Sequence, residues 1–247
     1  MKNTTNLLHE MSWSDVEKLD RKSTVILFPI GSTEQHGPQN PLGTDFMIPE
    51  YIAQTAARKS SKALCLPTLP IGVASHHRNF SGTLWTSRQT LEQLVKDVLN
   101  SVKYHGFLKV IAVNGHGGNT SSIMNAISDY ADVEDMICTL FEWWKDTEII
   151  KSVFNISSAG HASAVETSTV WAVRPDLAKE DRLEGLTSAP EWGRKVGDLF
   201  IPSRTDQFTK TGIAGSLEGI SIEKGFKILE KAVDKLLKAV EDLSVFS

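Results

Sequence analysis

The sequence predicts an α/β layered domain, a sheet carrying helices on both of its sides. Three observations predict it. Apolar runs rich in β-branched residues recur at Thr24–Ile30, Lys109–Val113 and Asp135–Phe141, as in strands buried on both faces. Amphipathic segments of helical spacing lie between and after them. Strand and helix therefore alternate along the chain, which argues for packed layers.

Thr24–Ile30 opens the sheet. Asp45 to Arg58 reads as a helix, with Pro49 required in its first turn. In Arg88 to Tyr104 the apolar residues Leu91, Leu94, Val95, Val98, Leu99 and Val102 fall on one helical face, and Ser87 is the expected N-cap. Lys109–Val113 is the next strand, followed by a helix from Thr120. After the third run come Trp143 and Trp144, as pocket walls or as core or interface aromatics. A helix capped by Ser163 or Gly160 runs through Val173 and ends before Pro175. Pro175 to Gly219, with Pro190, Pro202 and several glycines, reads as a loop-rich cap or an oligomer contact. Ser221 to Leu243 places Phe226, Leu229, Val233, Leu236, Leu237 and Val240 on one stripe. Its Lys224, Lys227, Lys231, Lys235 and Lys238 read as a solvated face.

Length allows one or two domains at roughly 150 residues each. The chain shows no repeat, no low-complexity tract and no linker, so residues 1–247 read as a single domain. With 40% hydrophobic and 23% charged residues it fits a globular protein, which excludes disordered, collagen-like and coiled-coil chains. A net charge of −4 leaves no electrostatic footprint for nucleic acid or anionic membrane. Met1 to Asn6 lacks the apolar core of a signal peptide, and no run approaches the ~20 apolar residues of a membrane span. Cys65 and Cys138 lie in apolar runs and read as buried thiols of a reducing compartment. A cytoplasmic protein is expected.

Chemistry concentrates in three segments. The first, Gly31-Ser32-Thr33-Glu34-Gln35-His36-Gly37-Pro38 and then Leu42-Gly43-Thr44-Asp45, follows the first strand, where open α/β sheets bind ligands. Glu34 and His36 would point the same way in extended chain, and Asp45 arrives at the next helix start. Carboxylate plus imidazole suits Zn²⁺, Mn²⁺ or Fe²⁺. Singly, each residue reads equally well as a loop, turn or capping residue. The second, Asn114-Gly115-His116-Gly117-Gly118-Asn119, is a strand-to-helix turn. It is either a phosphate cradle of backbone N–H groups, a plain tight turn, or a turn bearing a metal ligand, His116. It lacks the lysine of a Walker loop and does not fit the dinucleotide pattern. The third, Gly160-His161-Ala162-Ser163-Ala164-Val165-Glu166, places His161 before a helix and Glu166 one turn in. By itself it reads as a helix start with a dipole-favoured acid. His76 and His77 sit together in a polar loop, where paired histidines ordinarily carry no chemistry. His9 and His105 lie outside any cluster.

Taken in order, these segments resemble the signature blocks of the creatininase (creatinine amidohydrolase) family. The blocks are Ile30–Pro38, Leu42–Asp45, Val113–Asn119, and His161-Ala162 with Glu166-Thr167-Ser168. Phe80-Ser81-Gly82-Thr83 is similar to its Phe-Pro-Gly-Thr block, and Gly212–Gly215 with Glu223–Gly225 to its C-terminal block. The resemblance implies a three-layer αβα sandwich with a mostly parallel central sheet, a two-metal site, hydrolysis of a non-peptide C–N bond, and a homohexamer. It makes Glu34, His36, Asp45 and His116 metal ligands, with Asp45 the bridge, and matches His161 to a histidine near the reacting group. Creatinine-hydrolysing members carry a glutamate ligand where this chain has Gly118, which disfavours creatinine itself. Glu166 is the natural substitute at the second metal. Members with the Gly-Gly pair include archaeal formamidopyrimidine-nucleotide deformylases of flavin biosynthesis and mycofactocin-precursor peptidases.

The expected function is a metal-dependent amidohydrolase acting on a small cyclic amide or formamide. Two divalent ions, zinc first and manganese or iron next, lower the pKa of bound water from about 15.7 to about 7. His161, titrating near working pH, is the expected proton carrier to the leaving nitrogen. His77 is expected to orient substrate or stabilise the oxyanion. A deformylase of a phosphorylated pyrimidine is the nearest alternative, with Arg78 and Arg88 as phosphate partners. A non-catalytic phosphate or nucleotide binder built on Asn114–Asn119 is an alternative of another class. A family member that has lost activity and serves as a structural oligomer fits less well, because a buried carboxylate cluster without metal is costly.

Overall fold

The computed structural model describes residues 5–131 and 136–246. In chain order its main elements are α1 (Trp13–Val16), β1 (Val25–Ile30), α2 (Thr44–Lys59), β2 (Ala63–Cys65), α3 (Arg88–Tyr104), β3 (Lys109–Asn114), α4 (Thr120–Ser128), β4 (Ile137–Glu142), α5 (Thr147–Phe154), α6 (Ala164–Val173), β5 (Arg194–Val196), β6 (Leu199–Ile201) and α7 (Ile222–Val245). Four strands form one all-parallel sheet in the order β2-β1-β3-β4.

Each apolar run divides by period two between two cores. Val25, Leu27, Ile111 and Val113 face a core closed by α2, α6 and α7. Ile26, Phe28, Ile30, Val110 and Ala112 face a core closed by α3 and α4, through Leu91, Val95, Leu99, Ile123 and Ala126. The result is the three-layer αβα sandwich. No described helix is long and apolar enough to cross a membrane.

Order β2-β1-β3-β4 reverses direction between β1 and β3. After β1 the chain turns to α2 on one face; after β3 it turns to α4 on the other. The two loops diverge, and a crevice opens beyond the carboxyl ends of β1 and β3. Every ligand expected from the sequence, except Glu166, arrives on these two connections.

Several expectations need correction. Pro49 is the sixth residue of α2, not a first-turn residue, because the helix begins at Thr44. Phe226 is 45% exposed; Gly225 takes the contact with α6, where an added Cβ would lie 2.0 Å from the Ser168 carbonyl. Cys65 is buried, whereas Cys138 is half-buried; burial pushes each thiol up to about 12. The third strand starts at Ile137, and Asp135, its expected start, lies outside the described residues, as do Met1 to Thr4. The elements not foreseen are α1, with four residues; β2, with three; α5; and the exposed antiparallel hairpin of β5 and β6 within the irregular segment.

Candidate metal centre

The site is built where three backbones meet. Asp45 is the second residue of α2. Pro49 has no N–H to return to the Asp45 carbonyl four residues earlier. That carbonyl lies against Gly31 and Gly115, where added Cβ atoms would fall 2.3 and 1.9 Å from it. Only glycine lets the ends of β1 and β3 come this close to the helix. Asn114 locks the next turn, its side chain bonded to the His116 N–H and carbonyl at 3.1 and 2.9 Å. Asn119 pins the same turn outward, accepting from the Val73 N–H at 2.8 Å and donating to the Gly31 carbonyl at 3.0 Å. The side chains of Asn114 and Asn119 and the N–H groups of Gly115, His116 and Asn119 are thus committed within the protein.

The third arm comes from the N-terminus of α6. Ser163 is its cap. His161 is held by an antiparallel bridge to Ala214, with bonds of 2.7 and 2.9 Å. Ala162 sits at φ 53°, left-handed for a residue with a Cβ, a conformation that costs about 1–3 kcal/mol. Its N–H donates to Glu166 Oε2 at 2.6 Å, so the carboxylate steadies the strained turn that presents His161.

Glu34, His36, Asp45, His116, Glu166, His161 and His77 all converge, and all are buried. His36 Nδ1 lies 3.2 Å from the Glu34 carbonyl, which only accepts, so Nδ1 carries the proton. Its Nε2 then faces Asp45 Oδ1 at 2.9 Å and Glu166 Oε2 at 3.7 Å. His116 is fixed the other way round: Nε2–H donates to the Val73 carbonyl at 3.1 Å. Its Nδ1 faces Asp45 Oδ2 at 2.9 Å and Glu34 Oε2 at 3.1 Å. A backbone carbonyl behind each imidazole is the support that metal-binding histidines receive.

Two donor groups result, Glu34–Asp45–His116 and His36–Asp45–Glu166, each with its ligand atoms within 4.8 Å of one another. Asp45 belongs to both and turns one oxygen to each. A third, overlapping group joins Glu34, His36 and His161. Both Glu34 oxygens and His36 Nε2 are buried without a hydrogen bond of proper geometry, despite neighbours near 3 Å. Buried ligand atoms left unsatisfied in this way suit a divalent cation, whereas His116 Nδ1 and Asp45 Oδ2 also bond each other at 2.9 Å.

The electrostatics are steep. Burial alone would lower His36, but Asp45, with Glu166 and Glu34, raises it to about 10. His116 is likewise driven well up by Glu34 and Asp45 against its burial. Glu34 is held well below the usual carboxylate range by His116 and His77, again against burial. Burial pushes Glu166 up to about 8, opposed by His36 and aided by Asp45. His161 is driven well down by burial, with His36 and His77 adding to it. It is neutral at pH 7, and lower than the near-neutral value expected of it.

Above this floor lies a cavity of about 1200 Å³, walled by Trp85, Arg88, Trp144, Trp192 and Phe200. Trp192, from the irregular segment, meets His161 edge-on at 5.2 Å and His76 at 5.6 Å. The two tryptophans after β4 divide the roles left open for them: Trp143 is buried in the core and Trp144 walls the cavity. Arg88 lines the cavity, whereas Arg78 donates to the Ser75 carbonyl at 2.8 Å and does not line it. His77 is 1% exposed and far from idle: its ring touches Glu34, Gln35 and Thr205. Sequence reasoning missed Gln35, Thr205 and Trp192. Only Gln35 carried a signal, between two recognised ligands.

A family model described as creatinine amidohydrolase matches residues 9–240. Creatinine amidohydrolase of Pseudomonas putida is 27% identical over 254 residues, covering 94% of this chain and 95% of the relative. A 2-amino-5-formylamino-6-ribosylaminopyrimidin-4(3H)-one 5'-monophosphate deformylase of Methanobrevibacter ruminantium is 26% identical and covers 84% of each. A solved creatininase variant of Zn–Zn type superposes with a TM-score of 0.81 at 25% identity, covering 97% of this chain and 99% of that one. With a match of this extent, and the family's blocks gathered into one buried cluster, the chain belongs to the creatininase family.

Proposed function

We propose that this chain is a two-metal amidohydrolase that cleaves a C–N bond of a small cyclic amide or formamide. Membership of the family makes it a hydrolase of non-peptide C–N bonds. The observation that carries the finer reading is Asp45, shared between two buried donor groups with one oxygen toward each. Glu34, Asp45 and His116 would hold one ion, and His36, Asp45 and Glu166 the other. Zinc is the first expectation for such nitrogen and oxygen donors, with manganese or iron next. Bound there, the ions would supply a water acidified from about 15.7 to about 7 and draw charge from the carbonyl oxygen.

The chain's own residues do the rest. Glu166 completes the donor set that Gly118 leaves short, from a helix start rather than from the turn. His161, neutral at the cavity edge, takes a proton released from the attacking water and returns it to the departing nitrogen. The C–N electron pair stays on that nitrogen, and the ring ends as it began. Trp192 and Trp144 shield the reacting groups from bulk water.

Gly118 argues against creatinine in this chain. An added Cβ there would lie 2.3 Å from the Val73 carbonyl and 2.4 Å from His116 Nε2, so no side chain fits the present turn. A deformylase of a phosphorylated pyrimidine is the second reading, favoured by Arg88 in the cavity wall. Assembly as a homohexamer and a cytoplasmic location belong to the same proposal; Val196, Leu199 and Phe200, each more than half exposed on the hairpin, offer apolar surface for assembly.

The test is metal analysis of purified wild type beside Asp45→Ala. About two transition-metal ions per wild-type chain, mostly lost in the variant, are expected; a screen of cyclic amides and formamides then identifies the substrate. A wild-type chain that stays metal-free after incubation with Zn²⁺, Mn²⁺ and Fe²⁺ would overturn the mechanism.

A further inference from the structure

His77 has both ring nitrogens engaged inside the protein, although an oxyanion or substrate contact was expected of it. Nε2 lies 3.1 Å from Glu34 Oε1 as a close contact, and among the described residues neither atom has a hydrogen bond of proper geometry. Nδ1 lies 2.8 Å from Gln35 Nε2 and 2.9 Å from Thr205 Oγ1. The Gln35 amide cannot be turned over: its oxygen accepts from the Gly37 N–H at 3.1 Å, and its nitrogen donates to the Gly212 carbonyl at 3.0 Å. Gly212, at φ +81°, is shaped around that amide, since an added Cβ would overlap Gln35 Oε1 at 1.8 Å. Nδ1 therefore faces the Gln35 amide nitrogen, which only donates and divides its second N–H between His77 Nδ1 and His161 Nε2 at 2.8 Å each, and the Thr205 hydroxyl, which also reaches the His76 carbonyl at 3.2 Å. Nε2 faces a fully buried carboxylate oxygen, an acceptor, and a lone pair turned toward it would be repelled. The proton belongs on Nε2.

We infer that His77 is a positioning residue: its Nε2–H, set by Gln35 and Thr205 behind the ring, holds Glu34 so that the other carboxylate oxygen faces His116 and Asp45. Glu34 Oε2 is the oxygen 3.1 Å from His116 Nδ1, so fixing Oε1 fixes the donor set of one site only. The inference rests on the two-metal reading above. It adds that Thr205 and Gly212, from the irregular segment far along the chain, reach Glu34 through His77 and Gln35.

The probe is zinc alone, titrated into metal-stripped protein against a chromophoric chelator. His77→Ala is expected to weaken one of the two zinc sites by about 10–100-fold, the range for loss of a residue that orients a ligand. The other site should stay within about threefold. His77→Gln, which keeps an N–H near the same place, should recover most of the loss. Thr205→Val should weaken the same site in the same direction by less, and it remains informative should His77→Ala fail to fold. Two intact sites in His77→Ala, together with loss of turnover at saturating zinc, would overturn the inference and return the ring to the substrate. Equal weakening of both sites without recovery in His77→Gln would overturn it as well. A wild-type chain that binds no zinc sinks the two-metal reading itself, an outcome distinct from both.

Discussion

The floor and the roof of the cavity are made in opposite ways. Floor residues Glu34, His36, Asp45 and His116 lie at most 4% exposed on loops braced by β1, β3 and the start of α2. Roof residues Trp85 and Phe200 are 49% and 54% exposed, and Trp192 and Phe200 come from a segment whose regular structure is mainly one small hairpin. A rigid sheet end carries the groups whose spacing must be held to fractions of an ångström, while loops carry those that meet the variable part of a substrate. Loops of this kind can change to suit a different substrate while the sheet end beneath them is kept.

Breaking the floor should have the largest effects. Glu166→Gln keeps the shape of the side chain and its acceptor for the Ala162 N–H but weakens it as a ligand. It should cost one bound ion of two and lower turnover by about 10³-fold or more, roughly 4 kcal/mol of barrier. Metal content and steady-state rates on one preparation check this; two ions retained at full activity would remove Glu166 from the donor set. Gly118→Ala is the next largest. The new methyl must displace the Val73 carbonyl or His116 Nε2, which bond each other at 3.1 Å. Overpacking of this kind costs about 1–3 kcal/mol, or a fall in Tm of about 2–4 °C per kcal/mol at this chain length. Zinc titration should show the His116 site as the weaker one in the variant.

That contrast also explains what could be read from the sequence. Glu34, His36 and Asp45 fall within twelve residues after a strong apolar run, and His116 closely follows another, so the strand ends foretell the floor. The place of Glu166 beside His36 and Asp45 was legible only through the family resemblance, which sets a glutamate where this chain has Gly118. Trp192, Thr205 and Gly212 were not, because they act only after the chain has returned across the sheet and paired Ala214 with His161; no periodicity marks such a return. The contacts of His77 were hidden for the same reason, its partners being one buried carboxylate upstream and a hydroxyl far downstream. Among the helices, Phe226 went astray because the helical stripe ignored Gly225, whose missing side chain lets α7 close on α6.

Sharpening the comparison needs changes in the roof that leave the floor intact. Trp192→Ala removes the ring over His161 and should raise KM about tenfold, near 1.4 kcal/mol, with metal content unchanged. A fall in kcat alone, with KM constant, would assign Trp192 to the floor instead.

The smallest effect is expected at Arg88, and it separates the two substrate classes. Arg88 is exposed, at the first position of α3, and pairs with no carboxylate among the described residues. A guanidinium in that setting is worth little to a neutral amide. Toward a phosphate or carboxylate at the cavity mouth it adds a charge-assisted contact, reduced by its exposure and screened by salt over about 10 Å at 0.1 M. Arg88→Gln should therefore leave KM for a neutral formamide such as formanilide unchanged. It should raise KM about three- to fivefold for the same formamide bearing a phosphate, and that difference should shrink as salt is added. Equal KM changes for both compounds would mean that Arg88 shapes the wall without reading charge, and the phosphorylated-pyrimidine reading would lose the observation that favours it.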